Sequence, residues 1–203
     1  MKTVVRLLVL LLFTSNTFAQ ENDSFVLYRP QIDWSVFKGV PNSDSLGARI
    51  STSIYLGISK VSIWNGTILF KASAQMNPFE SWVKPAYADT YTLQHEQTHF
   101  TITEICARGL EAELNRMKIK RARSPVIQAT FAKWQAKMED LQNQYDAETK
   151  GGNDATAQQV WNQKILAEVN KQDKHLLSAN SNVRDSTPTG KAHNSSPYRQ
   201  QYP

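Results

Sequence analysis

The chain has 203 residues, with 23 Lys and Arg against 18 Asp and Glu, a formal net charge of +5 and 40% hydrophobic residues. That is one domain's worth of chain, able to bury a core without covalent staples, and its single cysteine, Cys106, excludes any intramolecular disulfide. The charge excess is too mild to argue for a nucleic-acid partner.

The first residues read as an export signal. Lys2 and Arg6 are followed by an apolar run over 7–13 and then by Thr17-Phe18-Ala19, a small-residue cleavage site. The run is shorter than the roughly 20 apolar residues a membrane span needs. Cleavage after Ala19 removes Lys2 and Arg6 and no acid, leaving 21 basic against 18 acidic residues, or +3. The expected location is the periplasm or the exterior, with no later stretch long enough to cross a membrane.

Strand signals dominate up to residue 87. Phe25-Val26-Leu27-Tyr28 is a short apolar strand candidate, and 50–58 alternates in part, with Ile50, Thr52, Ile54 and Leu56 on one side. Val61-Ser62-Ile63-Trp64, Asn65-Gly66, then Thr67-Ile68-Leu69-Phe70 predicts a hairpin closed by a two-residue turn, because Asn-Gly supplies the positive φ angles such a turn needs.

Helical spacing takes over after residue 87. Asp89 or Thr90 can cap a helix whose apolar stripe is Ile102, Ile105, Cys106, Leu110, Leu114 and Met117, ending before Pro125. Cys106 belongs to that stripe and reads as a small buried residue, not a nucleophile. The basic run over 116–123 reads as a solvated helix end, where positive charge complements the helix dipole. A second helix spans about 126–145, with Phe131, Trp134, Met138 and Leu141 on one face. Gly151-Gly152-Asn153-Asp154 is a turn, and a third helix from about Ala155 carries Trp161, Ile165, Val169 and Leu176. From Ser178 the chain is polar and should be a disordered tail. The tryptophans at 34, 64, 82, 134 and 161 are expected in the core. The sum is an α+β domain, a small and mostly antiparallel sheet followed by three helices.

Chemistry concentrates in His95-Glu96-Gln97-Thr98-His99. Positions four apart share one helix face, so the two imidazoles can bind one zinc ion. Glu96 is turned about 100° round the helix and can act as general base on water that zinc activates. Average composition gives H-E-x-x-H by chance in about one chain in 200 of this length. Leu93 and Phe100 flank the motif with apolar surface suited to walling a cleft. Glu104 lies about 140° round the axis from His99, which argues against a ligand role. With Arg108, four residues on, it forms a helix ion pair instead. His175 and His193 fall in the last helix and the tail and are read as solvated.

These residues carry a resemblance. The motif in its context Leu93-Gln94-His95-Glu96-Gln97-Thr98-His99-Phe100-Thr101-Ile102, with Glu104, Ala107 and Arg108, resembles the active helix of a family of secreted bacterial proteins predicted to be zinc-dependent proteases. Ile32-Asp33-Trp34-Ser35-Val36-Phe37-Lys38-Gly39, Ser81-Trp82-Val83 and Tyr145-Asp146-Ala147-Glu148-Thr149 resemble its other segments. The resemblance implies a zincin-like metallopeptidase domain over 20–177, between a leader over 1–19 and the tail over 178–203. It implies Zn(2+) held by His95 and His99, with Glu96 catalytic and a peptide or protein as substrate. The family usually carries a His two positions after its Tyr-Asp-x-x-Thr segment, where this chain has Gly151. Asp146 is then the candidate third ligand, and Tyr145 a candidate oxyanion stabiliser. The strand over 67–74 is expected to offer an edge to an extended substrate. Gly151 also motivates a rival reading, a non-catalytic binding or structural protein on a degenerate peptidase scaffold.

Overall fold

The computed structural model of the protein describes residues 25–41, 46–122 and 124–185, with side chains to residue 174. In chain order they form β1 (Val26–Leu27), β2 (Ala48–Arg49), β3 (Thr52–Val61), β4 (Ile68–Met76), β5 (Trp82–Val83), α1 (Thr90–Arg116), α2 (Pro125–Thr149) and α3 (Ala155–Asp185). A small antiparallel sheet precedes three helices, the expected α+β order. β1, β4 and β3 make a three-stranded sheet in that order, and β2 pairs with β5 in a separate ribbon. The ribbon lies in segments where the sequence shows no strand alternation, and two-residue strands carry none to read.

β4 is the central strand. Ile68, Phe70, Ala72, Ala74 and Met76 alternate into the core, which they build with Cys106, Ala107, Leu110 and Leu114 of α1 and Met138 of α2, and with Ile32 and Phe100 at the other end. On one side β4 pairs with β3 along its whole length. On the other, β1 reaches only Gln75 and Met76, and α1 side chains take over the ladder. Asn115 accepts from the Phe70 N–H at 2.8 Å and donates to the Phe70 carbonyl at 3.1 Å. Glu111 accepts from the Ala72 N–H and Glu104 from the Ala74 N–H, each at 2.8 Å. Buried backbone donors must find acceptors, and here a helix supplies them. This corrects the expectation of a substrate edge over 67–74, because both sides of that strand are already paired.

Other expectations shift for local reasons. The hairpin forms, but β3 and β4 end their pairing at Val61 and Ile68. The connection is a six-residue loop over 62–67 and not a two-residue turn. Asn65 Oδ1 accepts from the Thr67 N–H at 2.9 Å, while Ser62 N–H reaches the Thr67 carbonyl at 2.8 Å. Ile63 and Trp64 therefore leave the strand and stand 90% and 92% exposed, so Trp64 is not a core residue. Trp82 and Trp161 are buried as expected. Met117 is exposed because α1 ends one residue before it. Phe100 is fully buried in the core beside Met76, and the half-buried Leu93 packs against the same cluster. Cys106 is fully buried, and burial pushes its thiol up to about 11. α3 runs past Ser178 to Asp185. The leader over 1–19, His193 and the rest of the tail lie outside the described residues, as does the His175 side chain.

Candidate metal centre

Asp89 starts α1 by accepting from the Thr92 N–H at 2.7 Å, which sets the phase of the helix ahead of the motif. His95 and His99 then fall on one face, and their Nε2 atoms stand 3.2 Å apart. The last turn of α2 brings Asp146 across. Its Oδ1 lies 3.3 Å from His95 Nε2 and 2.9 Å from His99 Nε2. Three potential ligand atoms thus form a nearly equilateral triangle. A tetrahedral ion with bonds of roughly 2.0–2.1 Å has ligand–ligand edges of about 3.3 Å. A six-coordinate ion bound on one face at about 2.1 Å has edges of about 3.0 Å. The triangle fits either, so His95, His99 and Asp146 could hold a metal ion. Two imidazoles and a carboxylate suit a transition metal better than calcium or magnesium.

The second layer fixes which atoms face inward. His95 Nδ1 is 2.9 Å from Gln158 Oε1, and His99 Nδ1 is hydrogen-bonded to Gln142 Oε1. Each amide is oriented by its own nitrogen. Gln158 Nε2 donates to Asn162 Oδ1 at 2.8 Å, and Gln142 Nε2 donates to Thr103 Oγ1 at 3.0 Å and to the His99 carbonyl at 3.2 Å. With carbonyl oxygens at both Nδ1 positions, the rings carry their protons there. Both Nε2 atoms then face each other and a carboxylate, an arrangement relieved by protons shared with Asp146 or by a cation between the three atoms.

Electrostatics follow the same geometry. Burial acts to raise the Asp146 carboxyl, but its hydrogen bonds to His95 and His99 outweigh burial and hold it well below the usual carboxylate range. Burial acts to lower His99, and its hydrogen bond to Asp146 with the Glu96 charge nearby raises it overall. Glu96 is 4% exposed, with burial raising its carboxyl against the pull of His99, His95 and the Ile50 N–H, which donates to it. Side-chain exposure rises from 7% at His95 and 12% at His99 to 51% at Asp146, so solvent reaches the triangle from the α2 side.

Tyr145 is fully buried and stacks on His95 with centroids 4.7 Å apart. Its hydroxyl donates to Gln158 Oε1 at 2.7 Å and lies 3.3 Å from the His95 carbonyl, and burial raises its pKa. Tyr145 thus packs on His95 and shares the Gln158 carbonyl with it, and the oxyanion role expected for it stays a proposal. Glu104 binds Arg108 at 2.8 Å, as the i, i+4 spacing predicts, and faces β4 through Ala74. Gly151 has open space where a side chain would start, and it stands outside the triangle. Its neighbour Gly152 matters more. At φ +83, a Cβ there would lie 3.2 Å from His95 Cγ. Gln142, Gln158 and Gly152 were invisible to motif reading, since a polar helix residue or a turn glycine carries no spacing signal of its own.

The arrangement is thus a His-His-Asp centre with a buried glutamate beside it. Residues 81–152, from β5 to the turn after α2, match a family described as a bacterial protein of unknown function, DUF922. No curated protein and no solved structure matches the chain. No helix among the described residues is long and apolar enough to cross a membrane.

Proposed function

We propose that the protein is a zinc-dependent hydrolase acting on peptide bonds, with His95, His99 and Asp146 as ligands and Glu96 as general base. The observation that carries this reading is the convergence of two Nε2 atoms and one carboxylate oxygen within 2.9–3.3 Å, on rings whose Nδ1 atoms are held by Gln158 and Gln142. Zinc bound there supplies Lewis acidity and makes water nucleophilic near neutral pH.

The chain's own residues do the rest. Glu96 takes the proton of the attacking water on its carboxylate and returns it to the leaving amine nitrogen. The Ile50 N–H fixes that carboxylate, and burial raises its basicity above that of a free glutamate. Gln142 and Gln158 keep the imidazoles from rotating. With 67–74 closed as an edge, an extended substrate must approach from the Asp146 side.

The test compares wild type with Glu96→Gln on a mixed peptide pool, with and without chelator. Chelator-sensitive cleavage by the wild type, lost in Glu96→Gln with zinc retained, is the expected result. Absence of chelator-sensitive cleavage with zinc bound favours the binding-scaffold reading instead.

A further inference from the structure

The far end of α1 carries a feature that the metal centre does not use. Ile63 and Trp64 stand 90% and 92% exposed at the tip of the β3–β4 hairpin, with Val61 at 52% and Leu69 at 41% behind them. A large aromatic and a branched aliphatic residue side by side in water normally mark a surface that something covers. Three backbone N–H groups of the loop are bonded within it. Ser62 N–H reaches the Thr67 carbonyl at 2.8 Å, Gly66 N–H the Ser62 carbonyl at 2.9 Å, and Thr67 N–H the Asn65 side chain at 2.9 Å. Each donor bonded within the loop lowers what the tip loses on leaving water.

Charge identifies what covers it. The Ile68 N–H donates to the Ile119 carbonyl at 2.7 Å, which ties the α1–α2 connection to the base of the hairpin. Ile119 is buried, and Lys118, Lys120 and Arg121 around it are exposed. Lys60 is exposed on the hairpin itself. A cleft of about 640 Å³ between the two segments is lined by Val61, Ile63, Trp64 and Leu69 together with Lys60 and Lys118. Neither 60–67 nor 116–122 contains an acid. Indole at the tip with cations behind it is the pattern of an interfacial anchor: the ring sits at headgroup depth and the cations meet anionic headgroups.

We propose that this hairpin tip docks the protein on a bilayer carrying anionic lipid, with Ile63 and Trp64 entering the interface and Lys60, Lys118, Lys120 and Arg121 contacting headgroups. α1 rises about 1.5 Å per residue, so Arg116 lies about 25 Å along the axis from His99. Docking by the tip therefore leaves the metal centre clear of the membrane.

The test uses the full chain with vesicles of phosphatidylcholine alone or enriched in phosphatidylglycerol, with brominated acyl chains to quench inserted tryptophan. Trp64 is the tryptophan that quenching should report, because Trp82 and Trp161 are buried and Trp34 and Trp134 half-buried. Quenching is expected with the anionic vesicles and is lost in Trp64→Phe. Ile63→Ser with Trp64→Ser should weaken binding at least tenfold. Lys118→Glu and Lys120→Glu should each weaken it about fivefold or more, and added salt should weaken the wild type. All variants share the same termini, so differences between them report the tip, and an unchanged Tm confirms folding. Equal binding to both vesicle types, or quenching that survives Trp64→Phe, overturns the proposal. So does a concentration-dependent dimer that Trp64→Ser abolishes, because a second copy then covers the tip.

Discussion

Gln158 Oε1 lies 2.9 Å from His95 Nδ1 although the two residues are 63 positions apart, and the same oxygen accepts the Tyr145 hydroxyl at 2.7 Å. One buried carbonyl from α3 therefore sets the tautomer of a residue on α1 and occupies the donor of a residue on α2. Gln158→Leu should leave the His95 Nδ1–H unsatisfied, leave the Tyr145 hydroxyl only the His95 carbonyl at 3.3 Å, and free the His95 ring. Zinc affinity is expected to fall about 10–100-fold, the usual cost of losing a partner behind a ligand. Gln158→Glu, which keeps an acceptor in place, should retain most of it. Competitive chelator titration of the two variants measures this. Equal loss in both would show that packing, not the acceptor, is what matters.

The ligand set predicts a graded response. Wild type should bind about one zinc per chain. His95→Ala, His99→Ala and Asp146→Ala should each lose more affinity than any change in the second layer, because a catalytic zinc has only three protein ligands. Elemental analysis of dialysed protein checks it, and full occupancy in the His95→Ala, His99→Ala double variant would refute the site.

The two turn glycines should behave differently. Gly151→His puts a side chain into open space at φ +60, so it should cost about 1–2 kcal/mol for the left-handed backbone and leave zinc affinity unraised, since Asp146 already fills the third position. Gly152→Ala meets the same backbone cost and also crowds His95, with its Cβ 3.2 Å from the ring. It should lower both Tm and zinc affinity. Calorimetry with and without zinc separates the two effects.

Asn115 is expected to matter for stability and not for the site. Asn115→Ala removes the acceptor of the Phe70 N–H and the donor to its carbonyl, leaving two backbone groups of a central strand unpaired. The loss should be about 1–3 kcal/mol in urea unfolding, with zinc affinity of the folded protein unchanged.

Cys106 should resist alkylation in the native protein. Burial pushes its thiol up to about 11, so almost no thiolate is present at neutral pH, and its neighbours exclude reagent. Iodoacetamide should label it only after denaturation, as followed by intact mass. Rapid native labelling would mean that α1 opens locally.

Local rules determined much of this protein. Helical spacing gave the three helices, because an apolar stripe can be buried only if the chain coils with that period. The i, i+4 histidines and Glu96 were legible for the same reason: one helix fixes their relation regardless of what surrounds it. The Asn-Gly signal located the hairpin, yet the side chain of Asn65 closed a longer loop and moved Trp64 out of the sheet. Tertiary structure decided the rest. Whether Asp146 faces the histidines depends on how α2 packs on α1, and whether Gln142 and Gln158 stand behind them depends on α2 and α3 together. The substrate edge expected over 67–74 vanished because Glu104, Glu111 and Asn115 lie along β4. In each case the deciding partner is distant in sequence, and no periodicity of one segment records the acceptor that another segment brings to it.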